Sequence, residues 1–229
     1  MPLPLPSWLI DGLVGVADLV LPGDCPCCGA PGNGVCESCQ TALSRAPELV
    51  SPKVAVGVPV FSCAPYAGVH RSAVLSAKES LRRDVLRPLG AVMAASVNKL
   101  SVEGAVLDPR IEPLVLVPAP TRRSSIRQRG GDVVTAVAEY ACEFGAGLSA
   151  VAALRSSEQV ADSVGLSAGQ RKANLSGRVM PLPASGQLRG QNVLLVDDVL
   201  TTGATLRESV LVLRSLGARP VAALVICHA

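Results

Sequence analysis

An α/β fold, with a mostly parallel sheet flanked by helices and a small cysteine-rich module ahead of it, is what this sequence predicts. Three observations carry that expectation. From about residue 54 onward, short runs of Val, Leu and Ile alternate with longer stretches of helical period. One such run, residues 193–196, is apolar at every position and leads into Asp197, Asp198 and a Thr- and Gly-containing turn. Before all of these, five cysteines crowd between Cys25 and Cys39.

The bulk numbers agree. At 229 residues the chain has room for one α/β domain and an appendage, divided here as residues 1–45 and 46–229. Apolar residues make up 49% and aromatics only 2%, so the core must consist of Val, Leu and Ala, which suits parallel strands covered by helices. Few aromatic platforms remain for stacking single-stranded nucleic acid. A formal charge of +3 is too small for a dedicated nucleic-acid binder, although local basic clusters can still receive phosphates.

In chain order, residues 8–21 are apolar but lack a basic flank and carry Asp11 and Asp18. They read as a short amphipathic helix, not an export signal or membrane span. A reducing, cytoplasmic setting is expected, with the eight cysteines serving as metal ligands or buried thiols. Strands are expected at 54–61, 114–117, 150–154, 193–196 and 221–227. Helices are expected at 69–77, 85–97, 132–144 and 204–216, the last stopped by Gly217. Residues 156–190 are polar and glycine-punctuated, and read as a functional loop with short helical pieces.

Ligands of open α/β sheets sit at the carboxyl ends of strands, where Asp197 and Asp198 fall. After them, Gly203 allows the backbone close to an anion, Thr201, Thr202 and Thr205 offer hydroxyls, and the helix that opens near Ala204 supplies free N–H groups and a favourable dipole. That arrangement suits a monophosphate. Two carboxylates beside it need something neutral or cationic, such as sugar hydroxyls or Mg2+. Ribose 5-phosphate satisfies both demands.

Cys25-Pro-Cys-Cys28 and Cys36-Glu-Ser-Cys39 form two C-x-x-C knuckles whose thiolates, Cys25, Cys28, Cys36 and Cys39, have the spacing of a closed, structural Zn2+ site. Cys27 is out of register with them. Cys63, Cys142 and Cys227 stand in apolar surroundings and read as buried thiols.

The strand, acidic pair and hydroxyl-rich glycine turn resemble the type I phosphoribosyltransferase signature. That resemblance implies a phosphoribosyl pyrophosphate (PRPP) site with magnesium, in which Asp197 and Asp198 hold the ribose hydroxyls and Thr201, Thr202, Gly203, Ala204 and Thr205 hold the 5-phosphate. With the cysteine knuckles in front, the chain resembles the ComF family of competence-associated proteins. Tyr66, Gly68 and Lys78, the Val117-Pro-Ala-Pro120 loop, Arg129-Gly130, and Gln159, Gly165-Leu-Ser167, Arg171 and Asn174 carry this likeness. It departs at Gly131 and Asp132, where the family usually has an aromatic and an asparagine. The wider family's pyrophosphate loop falls on Arg122 and Arg123, with Lys78 as a second contact, and a ligand-covering loop falls on residues 159–174, Arg171 included. DNA phosphates compete for Arg122, Arg123, Arg127 and Arg129. The resemblance therefore implies either a phosphoribosyltransferase, with Asp197, Asp198 and Arg122 at its catalytic centre, or an auxiliary protein of DNA uptake that uses the same site as a sensor, with single-stranded DNA or competence proteins as partners. Purine-salvage relatives place an acid at the first turn position, where this chain has Thr201, so a 6-oxopurine acceptor is disfavoured. Neither His70 nor His228 is positioned along the chain to replace it.

Overall fold

The computed structural model describes residues 23–79, 82–121, 131–157 and 179–229. The expected helix at 8–21, the arginines Arg122, Arg123, Arg127 and Arg129, and the stretch from Gln159 to Asn174 with Arg171 lie outside the described residues.

The elements are α1 (Glu37–Leu43), β1 (Glu48–Val50), β2 (Val60–Pro65), α2 (Gly68–Lys78), a 3-10 turn (Arg83–Val85), α3 (Leu86–Val102), β3 (Leu114–Pro118), α4 (Val133–Phe144), β4 (Leu148–Ala150), β5 (Leu154–Ser156), β6 (Val179–Pro181), a second 3-10 turn (Pro183–Leu188), β7 (Asn192–Leu200), α5 (Ala204–Ser215) and β8 (Arg219–His228). The main sheet has the order β1-β2-β8-β7-β3-β4. From β2 to β4 every neighbouring pair is parallel, and only the edge strand β1 is antiparallel. β5 and β6 form a separate antiparallel pair.

The central strands are apolar throughout because both faces are covered. Leu114, Leu116, Leu194, Val196, Leu224 and Ile226 face a core shared with α1 to α4. Val115, Val117, Val193, Leu195, Ala223 and Val225 face a second core with α5. The alternation of these two sets is the strand period itself. On the first face α3 and α4 pack tightly through Gly90, where a Cβ would lie 2.4 Å from the Cβ of Tyr140.

Three strand expectations need correction. Residues 54–59 are not strand: β2 starts at Val60 and runs to Pro65, since that is the stretch aligned with Ala223 to His228 of β8. The strand expected at 150–154 is two short ones in different sheets, β4 beside β3 and β5 beside β6. β7 does not stop at Val196 but continues to Leu200, because β8 extends alongside it to His228. The described part of the 156–190 stretch does carry a short helical piece, Pro183–Leu188.

The cysteine segment shares the main core: Cys25, Cys27, Val35, Cys39 and Leu43 join the cluster under α2 and α3. No described helix is long and apolar enough to cross a membrane.

Candidate functional site

At the carboxyl edge of the sheet, neighbouring strands part company. β3 pairs with β7 only as far as Pro118 opposite Val196, and the Ala119 N–H donates to the Val196 carbonyl at 2.7 Å. β8 keeps pairing through Asp197–Val225, Val199–Cys227 and Leu200–His228. Asp197 and Asp198 are therefore held in strand backbone on the β8 side, beyond the last β3–β7 pair. Ligands of open α/β sheets bind at strand ends where neighbours diverge in this way.

The two acids have different surroundings. Asp198 is 8% exposed, and its Oδ1 lies 2.7 Å from Lys78 Nζ at the end of α2. Asp197 turns back so that its Oδ1 accepts the Asp198 backbone N–H at 2.9 Å. Burial pushes the Asp197 carboxyl up to about 8, and the charges of Asp198 and Asp132 push the same way against the N–H bond and Lys78. Among the described residues, these two acids and a third nearby share one lysine, and a cation or hydroxyl donors would relieve their mutual repulsion.

Asp132, to which sequence reasoning gave no role, also stands at this edge. It caps α4, accepting from the Val134 N–H at 3.3 Å and the Thr135 hydroxyl at 2.8 Å, and it also accepts the Thr121 hydroxyl at 2.9 Å. Thr121 follows the Pro118-Ala-Pro120 corner, so this bond ties the end of the β3 loop to the start of α4. The signal was present: an Asp directly ahead of an apolar helical run is an N-cap pattern.

The turn after β7 has the geometry expected of it. Gly203 is left-handed, φ 86°, and precedes α5, while Thr201, Thr202 and Thr205 are exposed. The Ala204 N–H donates to the Thr202 hydroxyl at 3.3 Å. The first N–H groups of α5 have no intrahelical acceptors and lie on this turn.

A second segment, residues 51–59, part of which was expected as strand, packs over the turn. The Val54 N–H donates to the Thr202 carbonyl at 2.9 Å. A Cβ at Gly203 would lie 2.8 Å from Pro52 Cβ and 3.0 Å from the Val54 carbonyl, so only glycine fits beneath it. Lys53, Leu200, Thr201 and His228 line a cavity of about 230 Å³ there. His228, remote in the sequence, is thus brought beside Thr201.

The structure therefore assembles Lys78, Asp197, Asp198 and the turn Thr201 to Thr205 on one sheet edge. Lys78, expected at pyrophosphate, rests on Asp198. Arg122, Arg123 and Arg171 are outside the described residues.

Away from this edge, the Sγ atoms of Cys25, Cys28, Cys36 and Cys39 all lie within 4.8 Å of one another. Cys28 and Cys36 are 3.7 Å apart, close to the ~3.8 Å edge of a tetrahedron with Zn–S bonds of about 2.3 Å. The Cys36 N–H points at Cys25 Sγ at 3.4 Å. Cys27 is buried and its thiol is pushed up to about 12, first by burial and then by the neighbouring cysteines, so it stays a neutral spare. Cys63 and Cys227 are buried thiols, Cys63 lying 3.3 Å from the Ser96 hydroxyl. Cys142 is half-buried and donates to the Ala138 carbonyl at 3.2 Å.

Residues 125–229, a little under half the chain, match the family model of the phosphoribosyl transferase domain. No curated protein matches. Among solved structures, a chain described as the structure of the allosteric regulatory enzyme of purine biosynthesis is 23% identical, with a TM-score of 0.39; the match covers 61% of this chain and 25% of that one. At that score the likeness carries no argument, and this chain spans only about a quarter of the other's length. The fold is thus a mostly parallel α/β sheet with flanking helices, similar over residues 125–229 to the phosphoribosyl transferase domain, with a four-cysteine cluster before it.

Proposed function

We propose that this protein binds PRPP with magnesium and transfers its phosphoribosyl group, with pyrophosphate leaving. The observation that carries the reading is the continuity of β7, turn and α5. A single run of chain supplies two carboxylates in rigid strand backbone, then a left-handed glycine and three exposed hydroxyls at a helix amino terminus. The spacing suits a sugar diol on Asp197 and Asp198 with its phosphate on Thr201, Thr202, Gly203, Ala204 and Thr205.

Magnesium fits the donor set, since Asp197 and Asp198 offer only oxygen and, among the described residues, Lys78 alone faces them with positive charge. When bound, it would neutralise charge on the leaving diphosphate. Lys78 keeps Asp198 paired and oriented before ligand arrives. Thr121 and Asp132 fix the end of the loop that leads to Arg122 and Arg123, the residues proposed for pyrophosphate, and Arg171 is proposed to reach the ligand from the covering loop. The acceptor must be activated otherwise than by a carboxylate at Thr201, which cannot take a proton at neutral pH.

That same missing base favours a second reading, in which a ComF-like auxiliary protein of DNA uptake uses the site as a sensor. For the four cysteines we propose a structural zinc ion that holds residues 25–39 together.

Calorimetry with PRPP and magnesium on the wild type and on Asp197→Asn tests the ligand. Asp197→Asn leaves the Lys78–Asp198 pair intact, so lost binding reports lost ribose contact. Equal binding by both proteins, or by neither, would refute the site. Pyrophosphate release with a panel of acceptors separates the two readings: binding with no release above background favours the sensor.

A further inference from the structure

A groove of about 650 Å³ runs along the outer face of α3, between α1, the first 3-10 turn and α4. Its walls are largely apolar: Leu43, Ala91, Val92, Ala95, Tyr140 and Phe144. Phe144 is 47% exposed, a large aromatic left in water beside a well-packed helix pair. The groove exists because α1 has 7 residues and α3 has 17, so α1 covers only part of the face offered to it.

We propose that the groove is the docking site of this chain's own amino-terminal segment, residues 8–21. Three independent observations select that occupant.

The first is position. The described chain starts at Gly23, and Asp24 is clamped by Arg82, which bonds its carboxylate at 2.5 Å and its carbonyl at 2.6 Å. Arg82 also holds Asp84, at 2.8 Å, and Asp84 lines the groove. The chain therefore enters at the groove's own rim.

The second is size and pattern. Residues 8–21 have an apolar stripe of helical period, Leu9, Leu13, Val16 and Val20. As a helix they span about 21 Å, against about 25 Å for α3. Gly12 and Gly15 leave that helix too weak to stand alone, so it requires a surface to fold against.

The third is charge. The 22 residues before Gly23 contain Asp11 and Asp18 and no Lys or Arg. Arg83 and Arg87 stand at the groove. Arg87 pairs with Glu143 at 3.2 Å and lies over the Phe144 ring, whereas Arg83 is exposed and has no carboxylate partner among the described residues. An acidic apolar segment is matched to this rim, and a basic one would be repelled. Docked there, the segment braces the cysteine module against the helical layer.

Trp8 is the chain's only tryptophan, so its fluorescence reads this directly in the full-length protein. The wild type should emit at short wavelength and resist acrylamide. Ala95→Glu, which places a charge on an exposed groove position without touching the core, should move emission to the red and raise quenching severalfold. Arg83→Glu should do the same more weakly, and adding Asp11→Lys and Asp18→Lys should restore the wild-type signal. Circular dichroism confirms that each variant is folded; Arg83→Glu, a surface change, remains informative if Ala95→Glu does not fold. Solvent-like emission in the wild type, or emission unmoved by both substitutions, overturns the proposal. Short-wavelength emission lost on dilution places the segment on a second copy and overturns it equally. Failure of the charge swap to restore the signal overturns the match to the arginine rim.

Discussion

Replacing Lys78 with methionine removes the one cation that, among the described residues, touches the acidic pair. Lys78 Nζ and Asp198 Oδ1 are 2.7 Å apart, with side chains 22% and 11% exposed. At that separation the attraction is about 6 kcal/mol at an effective dielectric constant of 20 and about 1.5 kcal/mol at the value for water. Desolvation of both ions offsets much of the larger figure, and a net coupling of about 2–3 kcal/mol is expected for a pair this far buried. Lys78→Met alone should cost about 3 kcal/mol or more, because it leaves Asp198 charged and unpaired. Asp198→Asn alone should also destabilise, by stranding the ammonium. The double variant should cost about 2–3 kcal/mol less than the two single losses sum to. Urea unfolding of the four proteins at neutral pH, with equal m-values, gives the coupling. A coupling below about 0.5 kcal/mol, the level of an exposed ion pair, would refute the view that Lys78 holds Asp198 in place before ligand binds.

Other consequences follow from the same geometry. Asp197 holds its proton up to about 8 in the folded chain, whereas the unfolded chain releases it near 4. Between those values the folded state binds more protons, so stability should fall as pH rises, by up to about 1.4 kcal/mol per unit. Asp197→Asn should abolish that slope and be more stable than the wild type at pH 7, which denaturant titrations from pH 4 to 8 will show; a flat wild-type profile would contradict it. Gly203→Ala should cost about 2–4 kcal/mol, since φ is 86° and the new Cβ meets Pro52 and the Val54 carbonyl. The same variant should expose the amides of residues 51–59 to hydrogen exchange, and unchanged protection there would count against the packing described. The purified protein should contain one zinc per chain by elemental analysis. Cys36→Ser should lose it together with several kcal/mol of stability, and an equally stable metal-free variant would dismiss a structural ion.

Much of the site was legible because its signal is local. Asp197, Asp198 and Thr201 to Thr205 are contiguous, and a strand, a glycine turn and a helix start each announce themselves over a few residues. The four cysteines are likewise legible, since C-x-x-C spacing already brings pairs of thiols together. What was misread is non-local. The start of β2 was set six residues early because 54–59 is as rich in valine as a strand; the register with β8 decides otherwise. Asp132 was set aside as a departure from a family pattern, and its bond to Thr121 spans a loop that no sequence window joins. Lys78 was expected at pyrophosphate, whereas its contact with Asp198 depends on where α2 ends over the sheet. His228 and Lys53 come together beside Thr201 from near the carboxyl end and from residue 53.

By itself the sequence determined the class of layers, the identity of the acidic pair and turn, and the four thiols, because hydrophobic period, turn chemistry and ligand spacing act over one element at a time. Only the tertiary structure decided that the two acids are unequal, one paired with lysine and one whose carboxyl is pushed up by burial. It also decided that residues 51–59 cover the turn after β7 and that the other described elements leave part of α3's apolar face uncovered. Those outcomes depend on burial and on charges brought from distant elements, and burial is a property of the packed chain, not of any residue in it.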